Sequence, residues 1–214
     1  MICGVDEAGR GPVLGPMVVA AVAIEDDAPL RSMQVRDSKK LTPTRREELA
    51  AKITGSCRVE YRVISHDEID RRGPKISLNE LEAVVFAELI DRLKAEVVYV
   101  DACDVNARHF SQMVSGRLSY NPRMVCEHKA DDHYPIVSAA SIIAKTNRDR
   151  IVSEMQTEIG QEIGSGYASD PITIEFLQKW IKENGDLPPY TRRSWATAKD
   201  ALSLSKNAKL TDWD

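Results

Sequence analysis

The chain lacks several features that would mark a membrane, secreted or repetitive protein. Its 214 residues contain no apolar run approaching the roughly 20 residues needed to cross a bilayer. The N-terminus has no basic segment followed by an apolar stretch, so we expect no secretory leader. Internal repeats and low-complexity tracts are absent as well. These absences favour a cytoplasmic protein with one large domain, or with one domain and an appendage.

Cysteine is scarce and unpatterned. The four cysteines (Cys3, Cys57, Cys103 and Cys126) form no CxxC pair, and none stands beside a histidine at zinc-ligand spacing. Cys3, Cys103 and Cys126 fall in or beside apolar stretches. We therefore expect reduced, buried thiols in a reducing compartment rather than disulfides or a zinc site.

The chain has no net positive charge, since 29 Lys and Arg residues stand against 33 Asp and Glu residues and the formal net charge is −4. A chain that binds nucleic acid over a broad basic surface is thereby disfavoured. Nucleic acid itself is not excluded, because a metal-dependent nuclease carries acidic residues at its centre and its basic residues can be local.

The apolar segments predict an α/β fold. Short apolar or alternating stretches at 1–6, 16–24, 59–65, 97–101 and 123–128 are typical of strands. Helical spacing or capping signals occur after Thr42 and at 78–94, 104–117, 135–159, 171–184 and 191–205. Early strands followed by alternating helices and strands favour a mixed five-stranded sheet flanked by helices, with a small helical region at the C-terminal end.

Carboxylates stand at or near the ends of three predicted strands. Asp6 and Glu7 end the first strand, Asp101 ends the strand at 97–101, and Asp131 and Asp132 follow the strand at 123–128. If these strands are adjacent and parallel, their ends converge. Clustered carboxylates repel one another and raise one another's pKa unless a cation is bound. Oxygen ligands without Cys or His favour Mg²⁺ or Mn²⁺ over zinc.

Basic residues accompany the acids and fit a phosphate-containing substrate. They are Arg10, Lys39, Lys40, Lys129, Lys145, Arg192 and Arg193. Two ions about 4 Å apart can activate a water and stabilise the leaving oxygen of a phosphodiester. Each feature also has a plainer interpretation, because an Asp that ends a strand is usually a turn or cap residue. Only the combination of strand-end acids, glycine loops and lysines favours catalysis.

At this point the motifs resemble a known family, the type 2 ribonucleases H (ribonuclease HII), and most closely its archaeal members. The matching segments are GVDEAGRGPVLGPMVVAAV (4–22), VRDSKKLTP (35–43), LNELE (78–82), VDACDV (100–105), HKADDHYPIVSAASIIAK (128–145) and GSGYASDP (164–171).

The resemblance implies a ribonuclease H-like fold and a metal-dependent endoribonuclease. Residues 1–163 would form the catalytic domain, 164–206 a helical substrate-binding region and 207–214 a tail. The implied activity is hydrolysis of the RNA strand of RNA–DNA hybrids and incision 5′ to ribonucleotides in duplex DNA, leaving a 3′-hydroxyl. This implies roles in ribonucleotide excision, RNA primer removal and DNA replication and repair.

The resemblance also implies roles for individual residues. The ligands of two Mg²⁺ or Mn²⁺ ions would be Asp6, Glu7, Asp101 and Asp131. Asp132 would lie next to these ligands without binding the ions directly. Backbone groups of Gly9, Arg10 and Gly11 would contact the ribose 2′-hydroxyl, which alone distinguishes RNA from DNA at such a site. Tyr167 would stack on the next sugar, and the phosphate backbone would be contacted by Lys39, Ser138, Lys145 and Arg192. We see no element that reads bases, so cleavage should tolerate any sequence.

The last eight residues, NAKLTDWD, depart from the family pattern. Archaeal relatives often end in a box that binds the DNA sliding clamp: Gln, two residues, an aliphatic residue, two residues and two aromatics. Leu210 and Trp213 keep the spacing, but Asn207 replaces the Gln and Asp214 the second aromatic. The tail is either a weakened clamp-binding segment or a frayed terminus.

Nothing indicates an oligomer, so we expect a monomer.

Two other classes remain open. An exonuclease or strand transferase of the same fold would share the strand-end carboxylates, but we would not expect the Gly-Arg-Gly and Gly-x-Gly-Tyr pair. A non-enzymatic nucleic-acid-binding module is disfavoured, because its acidic cluster would repel phosphate in the absence of metal.

Overall fold

The computed structural model describes residues 1–35, 41–73 and 75–211, with side chains described as far as residue 204. Within these residues, five strands are Ile2–Ala8 (β1), Met17–Ile24 (β2), Arg58–Ile64 (β3), Val97–Asp101 (β4) and Arg123–Glu127 (β5). In the same part of the chain, the helices are Ala28–Ser32 (α1), Pro43–Ser56 (α2), His66–Arg71 (α3), Leu78–Leu93 (α4), Ala107–Ser115 (α5), Ala130–His133 (α6), Pro135–Ile159 (α7), Pro171–Asn184 (α8) and Ala196–Thr211 (α9).

The sheet is mixed, as the sequence predicts, and its strand order is β3-β2-β1-β4-β5. Strands β1 and β2 pair antiparallel, whereas β1 with β4 and β4 with β5 pair parallel. The apolar composition of β2 fits its position, because all but its last residue are buried. The parallel trio β1, β4 and β5 brings the carboxyl ends of three strands to one edge of the sheet.

Helix boundaries follow local capping chemistry. The Thr42 hydroxyl accepts the backbone N–H of Arg45 at 3.3 Å, and Pro43 occupies the first helical position of α2. A capping box opens α4, in which the Ser77 hydroxyl and the Glu80 carboxylate exchange bonds with each other's backbone N–H. The predicted cap at Thr42 is confirmed.

Three short helices, α1, α3 and α6, were not expected from the sequence, because five, six and four residues are too few to show helical periodicity.

Strand β1 is also longer than the predicted 1–6. Its antiparallel pairing with β2 continues through Glu7 opposite Val19 and Ala8 opposite Val18. Asp6 and Glu7 therefore lie inside a paired strand.

The chain divides into two compact units that interleave along the sequence. Unit 1 consists of Met1–Ala8, Val18–Val63 and Pro74–Asn147, and unit 2 of Gly9–Met17, Ile64–Gly73 and Arg148–Asp214. This division differs from the predicted boundary at 163/164, which assumed contiguous segments. The loop from Gly9 joins unit 2 because its backbone bonds to distant residues of that unit: Val13 N–H to Gly166 O at 2.8 Å, and Gly15 N–H to Tyr190 O at 2.9 Å.

Unit 1 is built on the sheet. Gly4 lies in the middle of β1, where a Cβ would come within 2.6 Å of the backbone nitrogen of Val137 in α7. Only glycine permits this approach, which sets the first turns of α7 directly against β1. Helix α4 packs beside it with eight buried residues.

Unit 2 has an apolar core of its own, separate from the sheet. Its buried members are Val13, Leu14, Val152, Met155, Ile163, Phe176, Leu177, Ile181, Leu187 and Ala198. The unit thus combines the opening loop, the second half of α7 and helices α8 and α9.

No helix in the described part of the chain is long and apolar enough to span a bilayer. The four cysteines are free thiols, and of these Cys3 is buried.

Candidate active site

Two of the predicted site carboxylates lie on neighbouring parallel strands. The β1–β4 register runs from Ile2 opposite Val97 to Val5 opposite Val100. Asp6 and Asp101 follow the last of these pairs on their respective strands. The convergence predicted from strand ends therefore holds for this pair.

The electrostatics of Asp6 reflect this proximity. Only 5% of the residue is exposed. Burial and, after it, repulsion from Asp101 together raise the pKa of the Asp6 carboxyl to about 7, against a hydrogen bond from Ser141 and attraction by Lys145. Near neutral pH the ionised form of Asp6 is therefore disfavoured unless a cation offsets the repulsion from Asp101.

Asp101 is held in place by the segment that follows β5. One of its carboxylate oxygens accepts the backbone N–H of Ala130 at 2.9 Å. Lys129, the residue before, has a left-handed backbone with φ 58°, which turns the chain out of β5 and into α6. This turn joins the Asp101 site to the segment that carries the next two acids.

Asp131 and Asp132 differ in burial. Both lie in the first turn of α6, rather than in a loop, and Asp131 is 95% buried while Asp132 is exposed. The roles of Asp131 as a ligand and Asp132 as its supporting neighbour stay predictions.

Ser138 takes a different position from the one predicted. It is buried in α7, and its hydroxyl donates to the backbone carbonyl oxygens of Asp131 and Tyr134. A hydroxyl committed in this way anchors α6 to α7 and is not placed to contact a phosphate. Lys145, further along α7, is half-buried and acts electrostatically on Asp6.

The four predicted ligands are not drawn together into one complete set. Among the side chains that the structure describes, no three His, Cys, Asp or Glu residues lie close enough to hold an ion. The pair Asp6 and Asp101 nevertheless has the donor chemistry of a magnesium or manganese site, because it offers carboxylate oxygens under mutual repulsion. Glu7 and Asp131 as further ligands remain a prediction.

The Gly-Arg-Gly loop belongs to unit 2. Gly9 has φ +83°, and a Cβ there would come within 2.6 Å of the Pro16 carbonyl oxygen and nearer still to the Arg148 side chain. Glycine is therefore required at this position by both backbone conformation and space. Arg10 is half-buried and Gly11 is exposed.

Arg192 was predicted to contact phosphate, and the structure contradicts that prediction. The side chain is fully buried, and its guanidinium donates to three backbone carbonyls. These bonds run from Nη2 to Gly9 O at 2.6 Å, Nη1 to Arg10 O at 2.8 Å and Nε to Gly15 O at 3.0 Å. Burial lowers the pKa of Arg192 to about 9, which still leaves it charged at neutral pH.

Tyr167 lies on the surface of unit 2 with 37% of the residue exposed. The guanidinium carbon of Arg148 lies 5.1 Å from the centre of its ring, a cation–π distance. Arg148 also donates from Nη2 to the Ser165 carbonyl at 2.9 Å. The tyrosine ring is thus supported on one side while part of it stays accessible.

Two residues with direct contacts to predicted site groups were missed at the sequence level. They are Ser141, which bonds to Asp6, and Arg148, which contacts Tyr167. Ser141 stands in the matching segment 128–145, so a signal for it existed. Arg148 stands just beyond that segment and its partner Tyr167 is 19 positions away, so no sequence signal connects the two residues. Lys39 lies outside the described residues.

Family, sequence and structure comparisons all match this chain over nearly its whole length. A family model described as ribonuclease HII matches residues 3–198. The chain belongs to the ribonuclease HII family. It is therefore an enzyme, an endoribonuclease of the ribonuclease H type.

Relatives within the ribonuclease HII family match over nearly their full length. Ribonuclease HII of Methanocorpusculum labreanum is 46% identical over 213 residues, which cover 99% of each chain. Ribonuclease HII of Pyrococcus abyssi is 44% identical over 214 residues, which cover 98% of this chain and 95% of that one.

Solved structures confirm the ribonuclease H-like fold. Ribonuclease H2 from Pyrococcus horikoshii has a TM-score of 0.89 at 42% identity, covering 96% of this chain and 98% of that one. Ribonuclease HII from Archaeoglobus fulgidus, in a structure of its complex with PCNA, has a TM-score of 0.88 at 45% identity, covering 94% of this chain and 96% of that one. Bst-ribonuclease HIII in complex with Mn²⁺ shares the fold at 22% identity, with a TM-score of 0.81, covering 96% of this chain and 70% of that one.

Proposed function

We propose that this endoribonuclease hydrolyses the RNA strand of RNA–DNA hybrids and also incises 5′ to ribonucleotides embedded in duplex DNA, leaving a 3′-hydroxyl. Such an activity would serve ribonucleotide excision, removal of RNA primers, and DNA replication and repair. The observation that carries the proposal is the buried Asp6 next to the half-buried Asp101 on adjacent parallel strands, with the pKa of Asp6 raised to about 7.

We assign the metal-binding role to Asp6, Glu7, Asp101 and Asp131. Two Mg²⁺ or Mn²⁺ ions, when bound, would supply an activated water and stabilise the leaving 3′-oxygen. The protein's own contribution is to hold the oxygens in place: the Ser141 hydroxyl and the Glu7 backbone N–H both donate to Asp6. Lys145 keeps Asp6 more acidic than burial alone would allow, which favours the ionised form that a cation needs.

The substrate-reading role falls on unit 2. Backbone groups of Gly9, Arg10 and Gly11 would contact the ribose 2′-hydroxyl, which requires a close approach that glycine permits. The exposed part of the Tyr167 ring would stack on the sugar of the following deoxynucleotide, where an added 2′-hydroxyl would crowd it. Lys39 and Lys145 remain the proposed phosphate contacts, and Arg10 contributes either through its side chain or only through its backbone.

The decisive experiment is a cleavage assay on a DNA duplex with one ribonucleotide, in Mg²⁺ and in EDTA. We expect a single cut 5′ to the ribonucleotide in Mg²⁺ and no cut in EDTA. Cleavage of an all-DNA duplex at a similar rate would point instead to another nuclease of this fold, and binding without cleavage would point to a non-enzymatic module.

We further propose that residues 207–214 bind the DNA sliding clamp. The support is the PCNA complex of the Archaeoglobus relative and the spacing of Leu210 and Trp213. The side chains of this tail lie outside the described residues, so the test must be functional. Deleting residues 207–214 should abolish binding to the clamp in a titration, while cleavage without the clamp stays unchanged. Equal binding by the truncated and full chains would remove the tail from this role.

A further inference from the structure

The buried guanidinium of Arg192 is unusual in its choice of partners. A buried cation normally pairs with an acid, because removing an unpaired charge from water is costly. Arg192 instead donates to three carbonyl oxygens, those of Gly9, Arg10 and Gly15. All three belong to one short loop, and the first two are in the Gly-Arg-Gly motif.

The segment that carries Arg192 is itself fixed against this loop. The Arg192 backbone N–H donates to Val13 O at 2.8 Å, and Leu14 forms an antiparallel bridge with Thr191. The ring of Trp195 lies 5.1 Å from the guanidinium carbon. Backbone pairing and ring packing therefore hold the guanidinium in one orientation.

The geometry of the peptide group gives these bonds a consequence for the loop. The carbonyl of Gly9 shares a peptide plane with the N–H of Arg10, and the carbonyl of Arg10 shares one with the N–H of Gly11. In a trans peptide the C=O and the N–H point in opposite directions. Fixing both carbonyls on the guanidinium therefore fixes both N–H groups so that they point away from it. A positive charge on the carbonyl side also polarises the peptide, which makes its N–H a stronger donor.

We propose that Arg192 is a positioning residue that orients and polarises the backbone N–H groups of Arg10 and Gly11 as donors to the ribose 2′-hydroxyl. This inference rests on the proposed function of the loop and extends it. The third bond, to the carbonyl of Gly15, fixes the far end of the loop. It orients no donor, because the Gly15–Pro16 peptide has no N–H. Arg192 thus acts on ribose recognition without touching the substrate.

The test measures preference for ribose rather than total affinity. Two duplexes are compared, a DNA duplex with one ribonucleotide and the same duplex in DNA alone, with Ca²⁺ replacing Mg²⁺ and gels confirming that neither is cut. The variants are Arg192→Lys, which keeps the charge, and Arg192→Met, which removes it. The matched control is Arg71→Lys, since Arg71 belongs to the same unit but is exposed, and its Nε donates to the backbone carbonyl of Asp67 at 3.3 Å.

We expect Arg192→Lys to lower the ratio of the two dissociation constants about tenfold, because a lysine cannot hold three carbonyls in one plane. Affinity for the all-DNA duplex should stay within about twofold, as should both affinities of the Arg71→Lys control. Arg192→Met should lose the preference entirely. Circular dichroism and thermal unfolding establish that each variant is folded under the conditions of binding.

Three outcomes would overturn the inference. They are an unchanged ratio in Arg192→Lys, an equal loss of affinity for both duplexes, or failure of both variants to fold, which would make Arg192 a purely structural residue. A wild-type ratio near one would instead overturn the proposed function of the loop, and the inference with it. Wild-type preference that survives in Arg192→Lys overturns the inference alone.

Discussion

The two units handle buried charge in opposite ways. In unit 1, Asp6 is buried near Asp101, and burial together with the neighbouring negative charge raises the pKa of Asp6 to about 7. In unit 2, the buried charge of Arg192 is matched by three carbonyl oxygens. The first arrangement is favourable only when something else binds, whereas the second is complete within the chain. The contrast separates a proposed cation site from a scaffold that fixes a loop.

The largest expected effect comes from removing a charge in unit 1. Asp101→Asn should lower kcat on the single-ribonucleotide duplex about a thousandfold, or ~4 kcal/mol, because a neutral amide cannot hold a cation beside Asp6. Asp132→Asn is the matched control, since Asp132 is exposed, and it should cost less than about tenfold. Near-wild-type rates for Asp101→Asn in Mg²⁺ would remove Asp101 from the reaction.

The same unit should become more stable when Asp6 is neutralised. A raised pKa means that the folded state binds a proton more tightly than the unfolded state, so stability falls as pH rises from about 4 to about 7. In EDTA at pH 8, Asp6→Asn should therefore raise the free energy of unfolding, by at most about 4 kcal/mol. Urea unfolding at pH 8 and pH 4 measures this gain, which should vanish at pH 4. A gain of the same size at both pH values would show that the carboxyl pair is not its source.

In unit 2, a substitution in the Gly-Arg-Gly loop should lower the stability of the folded protein. Gly9→Ala forces a side chain into a backbone with φ +83° and against Pro16 O and Arg148, so we expect a loss of about 3 kcal/mol in urea unfolding. Gly11→Ala provides the comparison, because its nearest neighbour would lie at 3.9 Å, and it should cost about 0.5 kcal/mol. Equal effects of the two substitutions would contradict the view that this loop is rigidly fixed.

The smallest effect is expected at the surface of unit 2. Tyr167→Ala should lower cleavage at a lone ribonucleotide about tenfold through loss of stacking, while cleavage of long hybrids changes less. Tyr167→Phe keeps the ring and should retain activity on both substrates. The role in sensing the junction fails if Tyr167→Ala lowers cleavage of both substrates equally.

Part of this arrangement is predictable from the sequence because it depends on local signals. Apolar strands, capping residues and the rule that parallel strands share a carboxyl edge place Asp6 near Asp101 without any coordinates. The short helix α6 escapes prediction because four residues carry no period. The length of β1 also escapes it, since its end is determined by pairing with β2 and not by its own residues.

The role of Arg192 is not predictable for a different reason. Its partners are backbone carbonyls, and a carbonyl oxygen is present at every residue. The sequence therefore contains no complementary residue that could identify them. A basic residue near the C-terminal end of a nucleic-acid enzyme naturally suggests a phosphate contact, and only its burial shows otherwise.

The bond from Arg192 to Gly9 spans 183 positions of the chain. During synthesis, the loop leaves the ribosome long before its guanidinium partner, which is added 183 positions after Gly9. Such a contact requires two segments 183 positions apart to come together, and closing so long a loop is an intrinsically slow step. The Gly-Arg-Gly loop therefore cannot take its final form until Arg192 has been made, so a chain that contains the acids of β1 but stops before Arg192 lacks a finished loop.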